Sequence, residues 1–228
     1  MTNEFKFSQQ ETDILKNFCT INPQIIIQPN RLQVKNSATT IIAIHDLVAP
    51  YDIDTSFGIY DMPNLLSVLS VYKSPSITLS EDAIRLLIKE GKCSNNYKTH
   101  AKELIDAVPD ARKKFATLDI TLDFVFPQEK LVMLKKMADL QKSAFIFFES
   151  IEGAIRVTVG DELESSDNTW EVILVDNIVI NELSKVVKTN VADLKLIMCD
   201  YHVQIAEYGM SKWESSVGVE YYIGLNRG

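Results

Sequence analysis

Four predicted helix starts recur along this 228-residue chain at two nearly constant spacings. Ser8 and Glu11 have the pattern of a capping box, and Asp61 precedes an early proline. Pro127 can open a third helix, and Asn181 can cap a fourth. The starts at 8 and 127 are 119 residues apart, and those at 61 and 181 are 120 apart. This repeat restricts the chain to two similar halves of two similar units each.

Short alternating strands follow each predicted helix start, three to a unit. The predicted fold class is therefore α+β, with duplicated helix-plus-three-strand units paired into two similar domains. We place these domains at residues 1–108 and 109–228, because the charged stretch 101–118 resembles a linker. The same spacing predicts a strand at 194–198 and makes the turn at Gly91 equivalent to a turn at Gly209.

Apolar residues at helical spacing predict the buried face of each helix. The predicted inward residues are Ile14, Leu15, Phe18 and Ile21 in the first helix, Leu65, Leu66 and Leu69 in the second, Met133, Leu134, Met137 and Leu140 in the third, and Leu183, Val186 and Val187 in the fourth. The opposite faces are the ones available for contact with a partner.

Composition and motifs exclude several classes of function. The apolar share of 46% excludes a disordered protein, and a net charge of −8 argues against a high-affinity nucleic-acid binder unless its cations are segregated. Neither a glycine-rich phosphate loop nor a convincing metal-ligand spacing occurs, so we expect no cofactor, no metal and no catalytic residue. Cys19, Cys93 and Cys199 are expected to be buried thiols. Without an apolar signal segment or a membrane-length apolar run, the chain is expected in the cytosol with no membrane partner.

Two stretches carry a resemblance to a known family. Residues 14–27 read ILKNFCTINPQIII and residues 57–71 read FGIYDMPNLLSVLSV. Both resemble segments of the sliding clamp of tailed phages of the T-even type, with a weaker match over residues 140–160. The resemblance implies a DNA-clamp fold, a non-enzymatic DNA polymerase processivity factor and a homotrimeric ring that encircles duplex DNA. It further implies a replicative DNA polymerase and an ATP-dependent clamp loader as partners, a role in late transcription, and the cytoplasm of the infected host cell as location.

In such a ring the helix faces away from the sheets should carry the DNA-facing cations. On this basis the candidates are Lys16, Lys135, Lys136, Lys142, Lys185 and Lys188. Lysines there would contact phosphates without reading bases, which suits a sliding ring. The second helix has no cation between Asp61 and Val71. The alternative is that these lysines form an ordinary solvated face.

A partner peptide of the polymerase or loader would need an apolar surface pocket. The candidates near the linker and the last strand are Val108, Phe115, Leu118 and Tyr222. The alternative, which residue type alone favours for each, is a plain core or interface residue.

Three alternatives to a phage clamp stay open. A phage structural or assembly protein could use the same duplicated α+β unit without encircling DNA. A small enzyme would have a cleft lined by His45 or His202. A clamp of the cellular trimeric type is the nearest alternative in the same class, although the local motifs favour the phage type.

Overall fold

A computed structural model describes residues 3–151, 153–161, 169–174, 179–180, 186–206 and 209–227. The chain divides into two compact units, Met1–Pro109 and Asp110–Gly228, called unit 1 and unit 2 below. Within the described ranges, no helix combines the length and the apolar character that crossing a membrane requires.

Unit 1 contains two helices and two antiparallel sheets. In chain order its elements are β1 (Glu4–Phe5), α1 (Gln9–Ile21), β2 (Ile25–Gln28), β3 (Arg31–Lys35), β4 (Ile41–Asp46), β5 (Phe57–Ile59), α2 (Met62–Leu69), β6 (Ser76–Leu79), β7 (Arg85–Glu90) and β8 (Cys93–Lys98). The strand orders are β1-β6-β7-β8 in one sheet and β4-β3-β2-β5 in the other. A 3-10 helix, Lys102–Leu104, follows in the stretch predicted as a linker.

The two helices of unit 1 begin where their caps place them. The Ser8 hydroxyl accepts the Glu11 N–H at 3.1 Å, and the Glu11 carboxylate accepts the Ser8 N–H at 2.6 Å, which confirms the capping box. Asp61 accepts the Asn64 N–H at 3.1 Å at the start of α2. The predicted inward residues of α1 are all buried, whereas in α2 the buried residues are Met62 and Leu65.

Unit 2 has the same kinds of layers with more strands. Its elements are α3 (Ala111–Phe115), β9 (Ile120–Phe126), α4 (Gln128–Gln141), β10 (Phe145–Ile151), β11 (Ala154–Gly160), β12 (Trp170–Leu174), β13 (Val179–Ile180), β14 (Val187–Asn190), the 3-10 helix Val191–Asp193, β15 (Tyr201–Ala206), β16 (Met210–Ser215), β17 (Val219–Gly224) and β18 (Asn226–Arg227). One sheet has the order β12-β11-β10-β14-β18, and the other contains β13-β9-β15-β16-β17.

Strand pairing shows that the two units repeat one topology. Strand β2 pairs with β3 and β5, as β10 pairs with β11 and β14. Strand β1 pairs with β6, as β9 pairs with β15. Helix α1 comes directly before β2, and helix α4 comes directly before β10. The predicted α+β fold with duplicated helix-plus-strand units is confirmed.

The fourth predicted helix is wrong where the structure describes it. Residues 181–185 lie outside the described ranges, but Val187 and Lys188 belong to strand β14, and the counterpart of α2 is the 3-10 helix Val191–Asp193. The prediction assumed a constant repeat, whereas equivalent elements start 119 residues apart at α1 and α4 and 130 apart at β5 and β14. The offset thus grows by eleven residues, of which the β11–β12 connection supplies four, with nine residues against five between β3 and β4. The longer strands β10 and β11 supply five more.

The same displacement overturns two further predictions. Residues 194–198 form no strand. The turn equivalent to Gly91, between β7 and β8, lies at Gly218 between β16 and β17 rather than at Gly209. Both Gly91 and Gly218 have positive φ, 58° and 79°, which explains why glycine stands in each turn.

The predicted inward face of α4 is correct at Leu134 and wrong at Met133 and Leu140. Its buried residues are Leu131, Leu134 and Ala138, whereas Met133 is 47% exposed and Leu140 is 68% exposed. Two apolar stripes at helical spacing run along this helix, so periodicity alone does not tell which one faces the sheet.

The expectation of three buried cysteines holds only in part. Cys199 is buried and Cys19 is half-buried, but Cys93 is exposed. Cys93 begins β8, a strand paired on one side only, in which every residue except Tyr97 is exposed.

Candidate nucleic-acid interface

Lys16 lies on the free face of α1, opposite the buried Ile14 and Leu15. Its ammonium is 2.8 Å from an oxygen of the Asp13 carboxylate. Hydrogen bonds from Lys16 and Gln9 hold the pKa of Asp13 below its usual range. Because both partners of this pair are solvated, a phosphate would displace the carboxylate at little cost. Lys16 is therefore placed to contact an anion, with part of its charge already compensated.

Helix α4 divides its predicted cations between two environments. Lys136 is exposed on the free face together with Met133 and Leu140. Lys135 lies beside the buried Leu131–Leu134–Ala138 stripe and is half-buried, so the prediction that it points outward is wrong. Burial lowers the pKa of Lys135, and the nearby Asp139 carboxylate partly opposes this effect. The shift in helix register explains the difference, because Lys135 follows Leu131 by four residues.

Lys142 stands at the end of α4 rather than within it. It is the C-cap residue, in a left-handed conformation with φ of 57°, and it is exposed. A cation at this position interacts favourably with the partial negative charge of the last helical carbonyls.

Lys188 lies on a sheet instead of a helix. In β14 it is directly opposite Phe147 of β10, and its ammonium lies 4.8 Å from the ring centroid of Phe145 and 5.9 Å from that of Phe147. Cation–π contact restricts this side chain, which is half-buried. Lys185, the remaining candidate, lies outside the described residues.

Two of the four residues predicted for a partner-peptide pocket are core residues in this structure, and the other two are half-buried. Phe115 and Tyr222 are buried against each other in unit 2, with ring centroids 5.8 Å apart. Leu118 is half-buried in the same unit and Val108 is half-buried in unit 1. Phe115 and Tyr222 therefore offer little surface to a peptide.

Three lysines surround a groove of about 450 Å³ in unit 1. Neither His45 nor His202, the histidines expected to line an enzyme cleft, lines this groove. One is Lys16, and the other two, Lys6 and Lys73, lie outside the helices. Periodicity in the sequence does not group Lys6 with Lys73, because these two lysines lie in different irregular segments. Their grouping follows only from the packing of α1, α2 and β6.

Comparison with known proteins finds matches only among solved structures. No family model and no curated protein matches the sequence. The structure of PCNA from Thermococcus kodakaraensis matches with a TM-score of 0.71 at 12% identity, over 98% of this chain and 99% of that chain. PCNA from Entamoeba histolytica matches with a TM-score of 0.71 at 9% identity, over 99% and 100% of the two chains. The C-terminal region of FEN-1 bound to A. fulgidus PCNA gives a TM-score of 0.68 at 13% identity, over 98% of each chain.

These matches show the fold. Their sequence identity is too low to transfer activity or partners, but they cover both units of this chain and nearly the whole length of each PCNA chain. The chain therefore has the DNA-clamp fold of PCNA-type sliding clamps.

Proposed function

We propose that this protein is a non-enzymatic DNA sliding clamp that encircles duplex DNA as a homotrimeric ring and tethers a replicative DNA polymerase. The observation that carries the proposal is the likeness to PCNA structures over the full length of both chains. A phage structural or assembly protein could use the same unit, but no feature of the described residues favours that alternative.

Exposed sheet edges support a ring of several copies. In unit 1, β8 is an edge strand and is exposed, whereas its counterpart in unit 2, β17, is buried. In unit 2, β12 is an edge strand with Ile173 52% exposed, whereas its counterpart in unit 1, β4, is buried. Each unit thus has one exposed edge strand whose counterpart in the other unit is buried. Pairing β8 of one copy with β12 of the next would cover both edges, and three copies would close such a ring.

The charge distribution supports retention by enclosure rather than by affinity. The chain carries a net charge of −8, so a ring of three copies would repel DNA at long range. Lys16, Lys136 and Lys142 are the exposed members of the candidate set among the described residues. We expect only weak, salt-sensitive binding to open linear duplexes, because a few phosphate contacts supply the affinity. An ATP-dependent loader would then be needed to place the ring on DNA.

The T-even phage type is part of this proposal and rests on local sequence. The two resembling stretches coincide with α1 and β2, and with β5 and α2, so they report how unit 1 is built. This assignment brings with it a role in late transcription and the cytoplasm of the infected host cell as location.

Light scattering after size-exclusion chromatography tests the ring. We expect a mass near three chains that dissociates on dilution. A monomer at all concentrations, or a tetramer, contradicts the proposal.

Loader-dependent primer extension tests the DNA-facing surface. The triple variant Lys16→Glu, Lys136→Glu, Lys142→Glu should shorten polymerase run length at least fivefold while the trimer mass stays unchanged. The control variant Lys113→Glu, Lys114→Glu reverses two charges, against three in the triple variant, at exposed residues of α3 and should leave run length unchanged. Equal run lengths for the triple variant and wild type would remove the channel assignment.

A further inference from the structure

The groove of unit 1 combines an apolar floor with a cationic rim. Leu66 and Leu69 near the end of α2 and Ile77 of β6 contribute the apolar surface. The three lysines reach it from three separate segments, Lys6 before α1, Lys16 within α1 and Lys73 after α2. Its volume of about 450 Å³ falls in the range of roughly 300–1,000 Å³ typical of ligand sites.

The rim is only partly neutralised. Asp13 pairs with Lys16 at 2.8 Å. Among the described residues no carboxylate lies within 4 Å of the Lys6 or Lys73 ammonium. The nearby Glu90 carboxylate accepts the backbone N–H groups of Ser74 and Lys73. These hydrogen bonds are the main reason that the pKa of Glu90 is lowered, with smaller contributions from the charges of Lys73 and Lys6. Glu90 thus shapes the loop that carries Lys73 while two ammonium groups stay available.

Among the described residues of unit 2, only one of the three rim positions carries a lysine, which is Lys135 at the position of Lys16. Counting from the matching elements, the position of Lys6 is occupied by Val125 or Phe126 and that of Lys73 by Met198. The counterpart of α2, which supplies the leucines in unit 1, is only the 3-10 helix Val191–Asp193. Two of the three lysines and the α2 leucines are therefore features of unit 1 that the described part of unit 2 lacks, which is unexpected for a surface that serves only the duplicated architecture.

We propose that this groove binds an acidic peptide segment of a partner protein that carries large apolar side chains among its carboxylates. Apolar side chains would bury the exposed parts of Leu66 and Leu69, which are half-buried in the chain alone. Carboxylates on either side would meet Lys6 and Lys73, giving the charge complementarity that selects such a segment. A DNA backbone fits less well, since it has phosphates for the rim but no apolar group for the floor. The inference shares Lys16 with the DNA-facing surface of the proposed clamp, but it concerns one unit of a single chain, and the groove residues changed in its test, Lys6 and Lys73, are not among the DNA-facing candidates.

Peptide selection tests the inference on the full chain without DNA or loader. A random dodecapeptide library is selected on the immobilised protein, and the most enriched peptide is labelled and its binding measured by fluorescence anisotropy. We expect enriched sequences to combine at least two Asp or Glu with at least two Leu, Phe, Ile or Trp. The groove variant Lys6→Glu, Lys73→Glu should weaken binding of that peptide at least fivefold, whereas the exposed control pair Lys113→Glu, Lys114→Glu should change it less than twofold.

Three results would overturn the inference. These are the absence of any enriched acidic, apolar peptide, a loss of less than fivefold in the groove variant, and peptide-independent binding of a short DNA duplex that the groove variant abolishes. The neutral variant Lys6→Gln, Lys73→Gln separates lost attraction from disturbed folding, and circular dichroism checks each variant. Since trimer mass and run length are not measured here, failure of this test leaves the proposed clamp function to its own experiments.

Discussion

The equivalent helices α1 and α4 are capped at their N-termini in different ways. Helix α1 begins with its own capping box, in which Ser8 and Glu11 satisfy each other's backbone N–H groups. Helix α4 begins after its N-cap residue Pro127, which makes no side-chain cap. The Gln128 N–H donates instead to Asp200, 72 residues further along the chain, at 2.8 Å. In both units the first N–H groups of the helix need hydrogen-bond acceptors from outside the helix. The repeated topology does not determine whether a neighbouring or a distant residue supplies the acceptor.

The cores of the two units also differ at equivalent strands. Ile88 in β7 and Trp213 in β16 occupy the same position of the repeat, and both are fully buried. Trp213 contacts the rings of Phe126, Phe148 and Tyr201, and its indole N–H donates to Ser211 at 3.0 Å. Unit 2 therefore relies on an aromatic cluster where unit 1 uses an aliphatic side chain.

The largest expected effect is a loss of unfolding free energy that differs between these two cores. Trp213→Ala should lower the free energy of unfolding by about 3–5 kcal/mol, and Ile88→Ala by about 2–4 kcal/mol, because both create a cavity and the indole loses more contacts. Urea denaturation followed by circular dichroism measures both. A smaller loss for Trp213→Ala than for Ile88→Ala would contradict the comparison.

Tryptophan fluorescence sharpens the same experiment. Both tryptophans, Trp170 and Trp213, belong to unit 2, so fluorescence reports that unit alone. If Ile88→Ala shifts the circular dichroism transition but not the fluorescence transition, the units unfold separately. Coincident transitions mean that they unfold together.

The second effect concerns the exposed edges. Ile173→Lys places a charge on the exposed strand β12 and should raise the dissociation constant of the trimer about tenfold, since edge lysines oppose strand pairing. Val125→Lys is the matched control, because Val125 is similarly exposed but lies in β9, inside the other sheet of unit 2. Analytical ultracentrifugation over a dilution series measures both variants. Equal dissociation constants for the two would exclude β12 as the contact edge.

The third effect tests local against distant capping. Ser8→Ala and Asp200→Ala should each cost about 1 kcal/mol of unfolding free energy, because each leaves a helix N–H without its acceptor. Asp200→Asn should recover most of the loss, since an amide oxygen also accepts. If Asp200→Ala is neutral, water replaces the distant cap and the contrast between the helices disappears.

Sequence reasoning recovered what local chemistry determines and failed where tertiary packing decides. The Ser8 capping box, the Asp61 cap and the strand 120–126 follow from residues adjacent in the chain, and the structure has them in place. The register of α4 depends on which apolar stripe the sheet covers. The position of the 3-10 helix Val191–Asp193 depends on the lengths of two strands and one loop. The grouping of Lys6, Lys16 and Lys73 depends on three segments meeting, for which no sequence pattern exists.

The smallest effect concerns pH and resides in unit 2. Burial acts to raise the pKa of Glu220, but hydrogen bonds from Arg112 and Tyr222 and the charge of Lys212 outweigh it and hold that pKa below its usual range. Arg112 and Lys212 lie 2.6 and 3.3 Å from the carboxylate. A carboxylate whose pKa is depressed on folding contributes stability above its unfolded pKa and loses it as pH falls through the folded value.

Glu220→Gln should therefore destabilise the protein at pH 7, and the difference from wild type should shrink steadily as pH falls below about 4.3, the ordinary pKa of a glutamate. Urea denaturation read by tryptophan fluorescence follows the unit in which the network lies. Glu81→Gln, in an exposed turn of unit 1, provides the control and should show a difference that is small at every pH. A constant difference between Glu220→Gln and wild type from pH 7 to pH 3 would mean that packing around the side chain, and not its charge, joins α3 to β17. The network would then no longer distinguish the acid response of unit 2 from that of unit 1, in which the carboxylates with a lowered pKa, Asp13, Asp82 and Glu90, lie at the solvated surface.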